Sequence, residues 1–163
     1  GGARGGGGMR VADFMVPAAR AATCARGATV RQCLETLVRG GVGSVVVLEG
    51  SAPVGIVTKS DLCGAFLEGV SLDAPVSELP AARCKIKTVQ GDLQCAEAAQ
   101  FLEENHVHHL VVVDEWGALA GVATSWDVSR EMALDAKAWP WNRESPLFKS
   151  NRRGQAAVQA QAH

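Results

Sequence analysis

Shifted by 65 residues, the chain overlays itself. Val11 falls on Val76, Thr23 on Thr88, Leu37 on Leu102 and Val42 on Val107. Val46 and Val47 fall on Val111 and Val112. Beyond the turn at 49–52 the offset grows by one, since the second copy carries an extra residue near Trp116-Gly117. Gly55 then falls on Gly121, Thr58 on Thr124 and Asp61 on Asp127. A constant offset broken once, in a turn, marks a duplicated structural unit.

Each copy has the same order of elements. Short strands are expected near Ala21–Cys24 and Ile86–Val89. A helix follows in each. Val30, Cys33, Leu34, Leu37 and Val38 form one helical stripe, and Cys95, Ala98, Ala99 and Leu102 form the other. Gly40-Gly41 ends the first helix and Asn105 the second. Ser44–Leu48 with Val54–Val57, and His109–Val113 with Leu119–Ala123, read as hairpins of buried strands. A last helix closes each copy, carrying Leu62, Ala65 and Phe66 in the first and Val128 and Met132 in the second. The unit is β-α-β-β-α, an α/β (α+β) fold. One copy alone would bury a marginal core. Two tandem copies packed sheet to sheet, with pseudo-twofold symmetry, would bury a stable one. The expected divisions are a Gly-rich flexible leader (1–8), a first repeat (9–70), a second repeat (71–135) and a Trp-containing basic tail (136–163).

Composition removes several classes of function. Hydrophobic residues make up 47% of the chain, too many for a disordered protein. A net charge of −1 provides no basic field for nucleic acid. Apolar runs such as Val45–Leu48 fall far short of the ~20 residues that cross a bilayer. The expectation is a soluble protein with no membrane partner. Five cysteines, none in a Cys-x-x-Cys pair, read as structural thiols of a reducing intracellular compartment, the cytoplasm or an organelle matrix.

The segment that carries chemistry is Gly55-Ile56-Val57-Thr58-Lys59-Ser60-Asp61, repeated as Gly121-Val122-Ala123-Thr124-Ser125-Trp126-Asp127. It sits where a strand gives way to a helix. The glycine permits close backbone approach. The threonine hydroxyl and the helix-start amides make an anion site. The aspartate one turn on can accept from a ribose diol. The plainer reading is that Thr and Asp are helix N-caps.

The repeat, the lead-in Val11-Ala12-Asp13-Phe14-Met15-Val16-Pro17 and the two Gly-x-x-Thr-x-x-Asp segments together resemble a CBS-domain pair, or Bateman module, over about residues 9–135. The resemblance implies two clefts between the repeats holding AMP, ADP, ATP or S-adenosylmethionine as a regulatory ligand, with no cofactor. Carried over by position, the first cleft takes Thr58, Ser60 and Asp61, with Ile86 and Lys87 at the base and His108 and His109 near phosphate. The second takes Thr124, Ser125 and Asp127, with Ala21, Ala22 and Thr23 at the base and Gly43 and Ser44 opposite. His109, Lys85 and Lys87 rank the first cleft as the better phosphate site, because a buried phosphate needs paired charge. The second repeat's lead-in, Val76-Ser77-Glu78-Leu79-Pro80, is a degraded copy of the first.

His106, His108 and His109 lack the further ligands of a metal site, and adjacent strand residues point to opposite faces. No nucleophile–base arrangement is visible, so a non-catalytic module is expected. Such modules regulate enzymes in trans and dimerise through their helices. The expectation is therefore a homodimer using the helices near Leu62–Phe66 and Val128–Met132, with an unidentified protein partner. Two rival readings stand beside it. One is a structural adaptor with vestigial clefts, docked through Trp139-Pro140-Trp141 and the basic tail. The other is a regulatory piece of a longer enzyme.

Overall fold

The computed structural model describes residues 8–135. The leader up to residue 7 and the tail, with Trp139 and Trp141, lie outside the described residues. In chain order the elements are α1 (Val11–Phe14), β1 (Val16–Pro17), β2 (Thr23–Ala25), α2 (Val30–Gly40), β3 (Ser44–Glu49), β4 (Ala52–Thr58) and α3 (Lys59–Leu67). The second half continues with α4 (Pro80–Arg83), β5 (Thr88–Gln90), α5 (Cys95–Asn105), β6 (His109–Val113), β7 (Leu119–Thr124) and α6 (Ser125–Asp135). Single 3-10 turns cover Ala18–Arg20 and Val76–Glu78. The β-α-β-β-α unit therefore occurs twice.

The described chain divides into two compact units. The larger takes residues 15–91 and 109–123, and the smaller takes 8–14, 92–108 and 124–135.

The larger unit holds both sheets. One runs β2-β3-β4, with β2 parallel and β4 antiparallel to β3. The other runs β1-β7-β6-β5, with β5 parallel to β6. Side chains alternate faces along a strand. Val45, Val46 and Val47 are all buried, as are Leu110 through Val113, so both faces of these strands are covered. β4 and β6 touch. One core gathers Val30, Cys33, Leu37, Val45, Val47, Val57 and Leu62 from the first repeat. It also takes Val76 and Leu79, which belong by sequence to the second.

That exchange is systematic. In the larger unit Val30 N–H donates to Ala74 O and Val76 N–H to Ala28 O, at 2.8 and 2.7 Å. In the smaller unit the positions 65 residues away repeat both bonds: Cys95 N–H donates to Met9 O and Val11 N–H to Leu93 O, each at 2.9 Å. Each lead-in segment thus binds the other repeat's helix start. The degraded second copy, with Val76 and Leu79 at most 1% exposed, does this as fully as the first. The first lead-in adds an unexpected strand, since β1 pairs antiparallel with β7 of the second repeat, Val16 facing Val122 and Pro17 facing Gly121.

Two expectations need correction. The first strands begin later than Ala21 and Ile86, because the parallel register starts at Thr23↔Val46 and Thr88↔Val111. Ala22 only lends its carbonyl to Val46 N–H. Leu34 and Val38 do not join the buried face of α2. Val38 is 71% exposed, and the core accepts only Val30, Cys33 and Leu37. The second long helix ends at Asn105, as expected, and is capped by His106 in the left-handed region, φ 52°, where the first repeat has Gly41 at φ 59°. His106 is exposed.

Candidate nucleotide-binding motifs

Thr58 ends β4 in extended conformation and opens α3. Its backbone N–H donates to Asp61 Oδ2 at 2.7 Å, and its hydroxyl donates to the same oxygen at 2.8 Å. Asp61 N–H donates back to Thr58 Oγ1 at 3.2 Å. The second copy repeats this closely. Thr124 N–H and Oγ1–H each donate to Asp127 Oδ2 at 2.8 Å, and Asp127 N–H returns to Thr124 Oγ1 at 3.2 Å. Both pairs are reciprocal capping boxes, with an acid in the third helical position.

The plain capping role is therefore present twice, and it narrows what a ligand can use. A threonine hydroxyl has one proton and two lone pairs. Its proton is committed to the aspartate, so it has none for a phosphate while the box is closed. The first helical amide is also engaged: Lys59 N–H donates to Gly43 O at 3.2 Å, and Ser125 N–H to His108 O at 2.9 Å. The Ser60 and Trp126 amides are the donors of those first turns with no partner among the described residues. Every bond found to either aspartate goes to Oδ2. Ser60 is exposed, while Thr58, Asp61, Thr124, Ser125 and Asp127 are half-buried and so remain within reach of solvent.

Each hairpin start bonds to the motif of its own repeat. Gly43 and Ser44 had been placed with the second motif, and His108 and His109 with the first. The structure sets Gly43 and Ser44 beside the first: Ser44 pairs with Thr58 across the β3–β4 hairpin, and Gly43 O holds Lys59. It sets His108 beside the second, through its carbonyl on Ser125. His108 is exposed. The first motif keeps Lys59, exposed in its first helical turn.

The remaining positions are placed as follows. Ile86 is half-buried and Lys87 exposed, just ahead of β5. Ala22 and Thr23 are half-buried at the start of β2. His109 opens β6 and is half-buried.

The motif glycines face the chain itself. A Cβ on Gly55 would meet the Ala82 backbone at 3.1–3.4 Å. A Cβ on Gly121 would meet Val16 O and Met15 Sδ, both at 2.6 Å. The close approach expected of these glycines is made by the other repeat's lead-in segment.

A family model described as the CBS domain matches residues 11–68 and again 76–134. The chain belongs to the CBS-domain family. Solved CBS structures share the fold along most of their length. CBSX2, solved in complex with AMP, superposes with a TM-score of 0.65 at 28% identity, over 80% of this chain and 100% of that one. The CBS domain pair of protein MJ0100, in complex with 5′-methylthioadenosine and S-adenosyl-L-methionine, gives 0.66 at 19% identity, over 75% and 98%. At that identity the likeness speaks for the fold alone. Among curated proteins, the L-aspartate semialdehyde sulfurtransferase of Methanocaldococcus jannaschii is 38% identical over 50 residues. Those residues are 31% of this chain and 10% of that protein, so the chain spans about a tenth of that relative's length. The likeness lies within a CBS-sized segment.

Among the described residues, no helix is long and apolar enough to cross a membrane. Also among them, no group of three or more His, Cys, Asp or Glu is placed to hold a metal ion.

Proposed function

We propose that this CBS pair is a non-catalytic regulatory module that binds an adenosine-type ligand, AMP, ADP, ATP or S-adenosylmethionine. Its ligand state would modulate a partner protein in a reducing intracellular compartment. The observation that carries this reading is the twofold Thr-x-x-Asp box. Each copy has the same three hydrogen bonds, in a chain that matches an AMP-bound CBS pair along its whole length. In each box, Asp Oδ1 would accept from the ribose diol, and the second helical amide, from Ser60 or Trp126, would donate to phosphate.

Mass spectrometry of small molecules released from the natively purified protein tests this. Adenosine-containing masses retained at up to two per chain are expected. Their absence, with the same ligands also failing to bind when added back, would leave the boxes as caps alone.

The module is further proposed to form a homodimer. On the helices near Leu62–Phe66 and Val128–Met132, Leu62 and Val128 themselves turn into the fold. The apolar side chains left outside are Phe66 and Leu67 on α3, 84% and 86% exposed, and Trp126 and Met132 on α6, 72% and 40%. Exposed apolar residues of this size mark interaction surfaces. Sedimentation should give a dimer that Phe66→Asp with Trp126→Asp converts to monomer. A wild-type monomer at high concentration would remove the proposal.

One observation favours the adaptor reading: both threonine hydroxyl protons are committed within the fold. A partner captured only when residues 136–163 are present, and indifferent to nucleotide, would support it.

A further inference from the structure

The nucleotide reading leaves Cys24 and Cys33 unexplained. Cys24 lies on β2, half-buried, opposite Val47 of β3. Cys33 lies in α2 and is fully buried in the core against which Cys24 packs. β2 and α2 pack on each other, with Cys24 set against the core that holds Cys33. Both belong to the larger unit. The remaining cysteines are not arranged this way: Cys63 and Cys84 are exposed, and Cys95 is buried with its thiol on Val128 O.

We propose that Cys24 and Cys33 are a peroxide-reactive dithiol, with Cys24 the attacking and Cys33 the resolving thiol, closing to an intrachain disulfide between β2 and α2.

Contact and exposure assign the roles. Cys24 is the one an oxidant can reach. The hydrogen bond from Cys33 holds its thiol below the ordinary value, against the opposing effect of burial. The same bond, with burial and the Cys24 charge, pushes the Cys33 thiol up. The thiolate is the nucleophile, so reaction begins at Cys24. Its sulfur attacks one oxygen of hydrogen peroxide and the O–O bond breaks. The departing hydroxide takes a proton from solvent, leaving water and a Cys24 sulfenic acid. Cys33 then attacks that sulfur, the S–O bond breaks, and the Cys33 proton leaves with the hydroxyl as a second water. Two thiols lose two electrons in all, and one peroxide gains them. A thiol already in contact with the sulfenic sulfur resolves it faster than further peroxide can oxidise it. The cross-link would join the strand bearing Thr23 to the first turns of α2.

The test is peroxide treatment of the full chain at low protein concentration, followed by tryptic mapping without reductant. The expected product joins peptide 21–26 to peptide 32–39, is two hydrogens lighter than their sum, and is lost on reduction. Cys24→Ser should abolish it. Cys33→Ala should instead leave a Cys24 sulfenic acid that dimedone traps. Over-oxidation of Cys24 to sulfinic acid with Cys33 still reduced would overturn the proposal. So would oxidation confined to Cys63 and Cys84.

Discussion

Replacing Gly121 with alanine is expected to destabilise the fold by about 3 kcal/mol, the upper end of what overpacking a well-filled site costs. The new Cβ would stand 2.6 Å from Val16 O and from Met15 Sδ. The methionine can move, but the carbonyl belongs to β1, which pairs with β7 at this position through Pro17↔Gly121. Relief means lifting the lead-in segment off the sheet. Gly55→Ala makes the informative comparison. Its Cβ would lie 3.1 Å from Ala82 Cα and 3.2 Å from Ala82 O, a squeeze that shifts of a few tenths of an ångström relieve. It should cost about 1 kcal/mol. Urea denaturation of both variants measures the difference. Equal losses, or a Gly121→Ala loss below about 0.5 kcal/mol, would show that β1 does not press on Gly121 as described.

The second large effect concerns Asp127. Its carboxylate has two roles that substitution can separate. Oδ2 closes the capping box with Thr124, and Oδ1 is assigned to the ribose. Asp127→Ala should cost about 1 kcal/mol of stability through the lost cap. It should also weaken nucleotide binding at that motif by roughly tenfold to a hundredfold, the range for a hydrogen bond to a charged group. Asp127→Asn keeps an acceptor for the Thr124 amide and should hold most of the stability while still losing much of the affinity. The same pair at Asp61 should show matching losses at the first motif, where Asp61 Oδ2 closes the same box. If Asp127→Ala loses stability but binds AMP as the wild type does, the carboxylate is a cap only.

The repeat made the element order legible before any coordinates, because a pattern occurring twice at one offset checks itself. The Thr–Asp motif was legible for the same reason, and so was its position at a strand–helix junction. What escaped depended on tertiary partners. Nothing local in Val76 or Leu79 says that they enter the core of the preceding repeat. Nothing local in Gly121 distinguishes a neighbouring backbone from a ligand. The Ser125–His108 backbone bond was not legible either, because positional carry-over does not carry hydrogen bonds. Val38 fits the helical stripe, yet among the described residues no element covers it. Periodicity tells which side of a helix can be buried, and packing decides how much of it is.

Calorimetric titration of the wild-type chain with AMP, run beside Asp127→Ala, puts the proposed function to its most direct test. Saturable binding is predicted, the contribution of the Asp127 box weakened or lost in the variant while far-ultraviolet circular dichroism stays unchanged. A flat titration with AMP, and equally with ATP and S-adenosylmethionine, from folded protein stripped of retained ligand would contradict it.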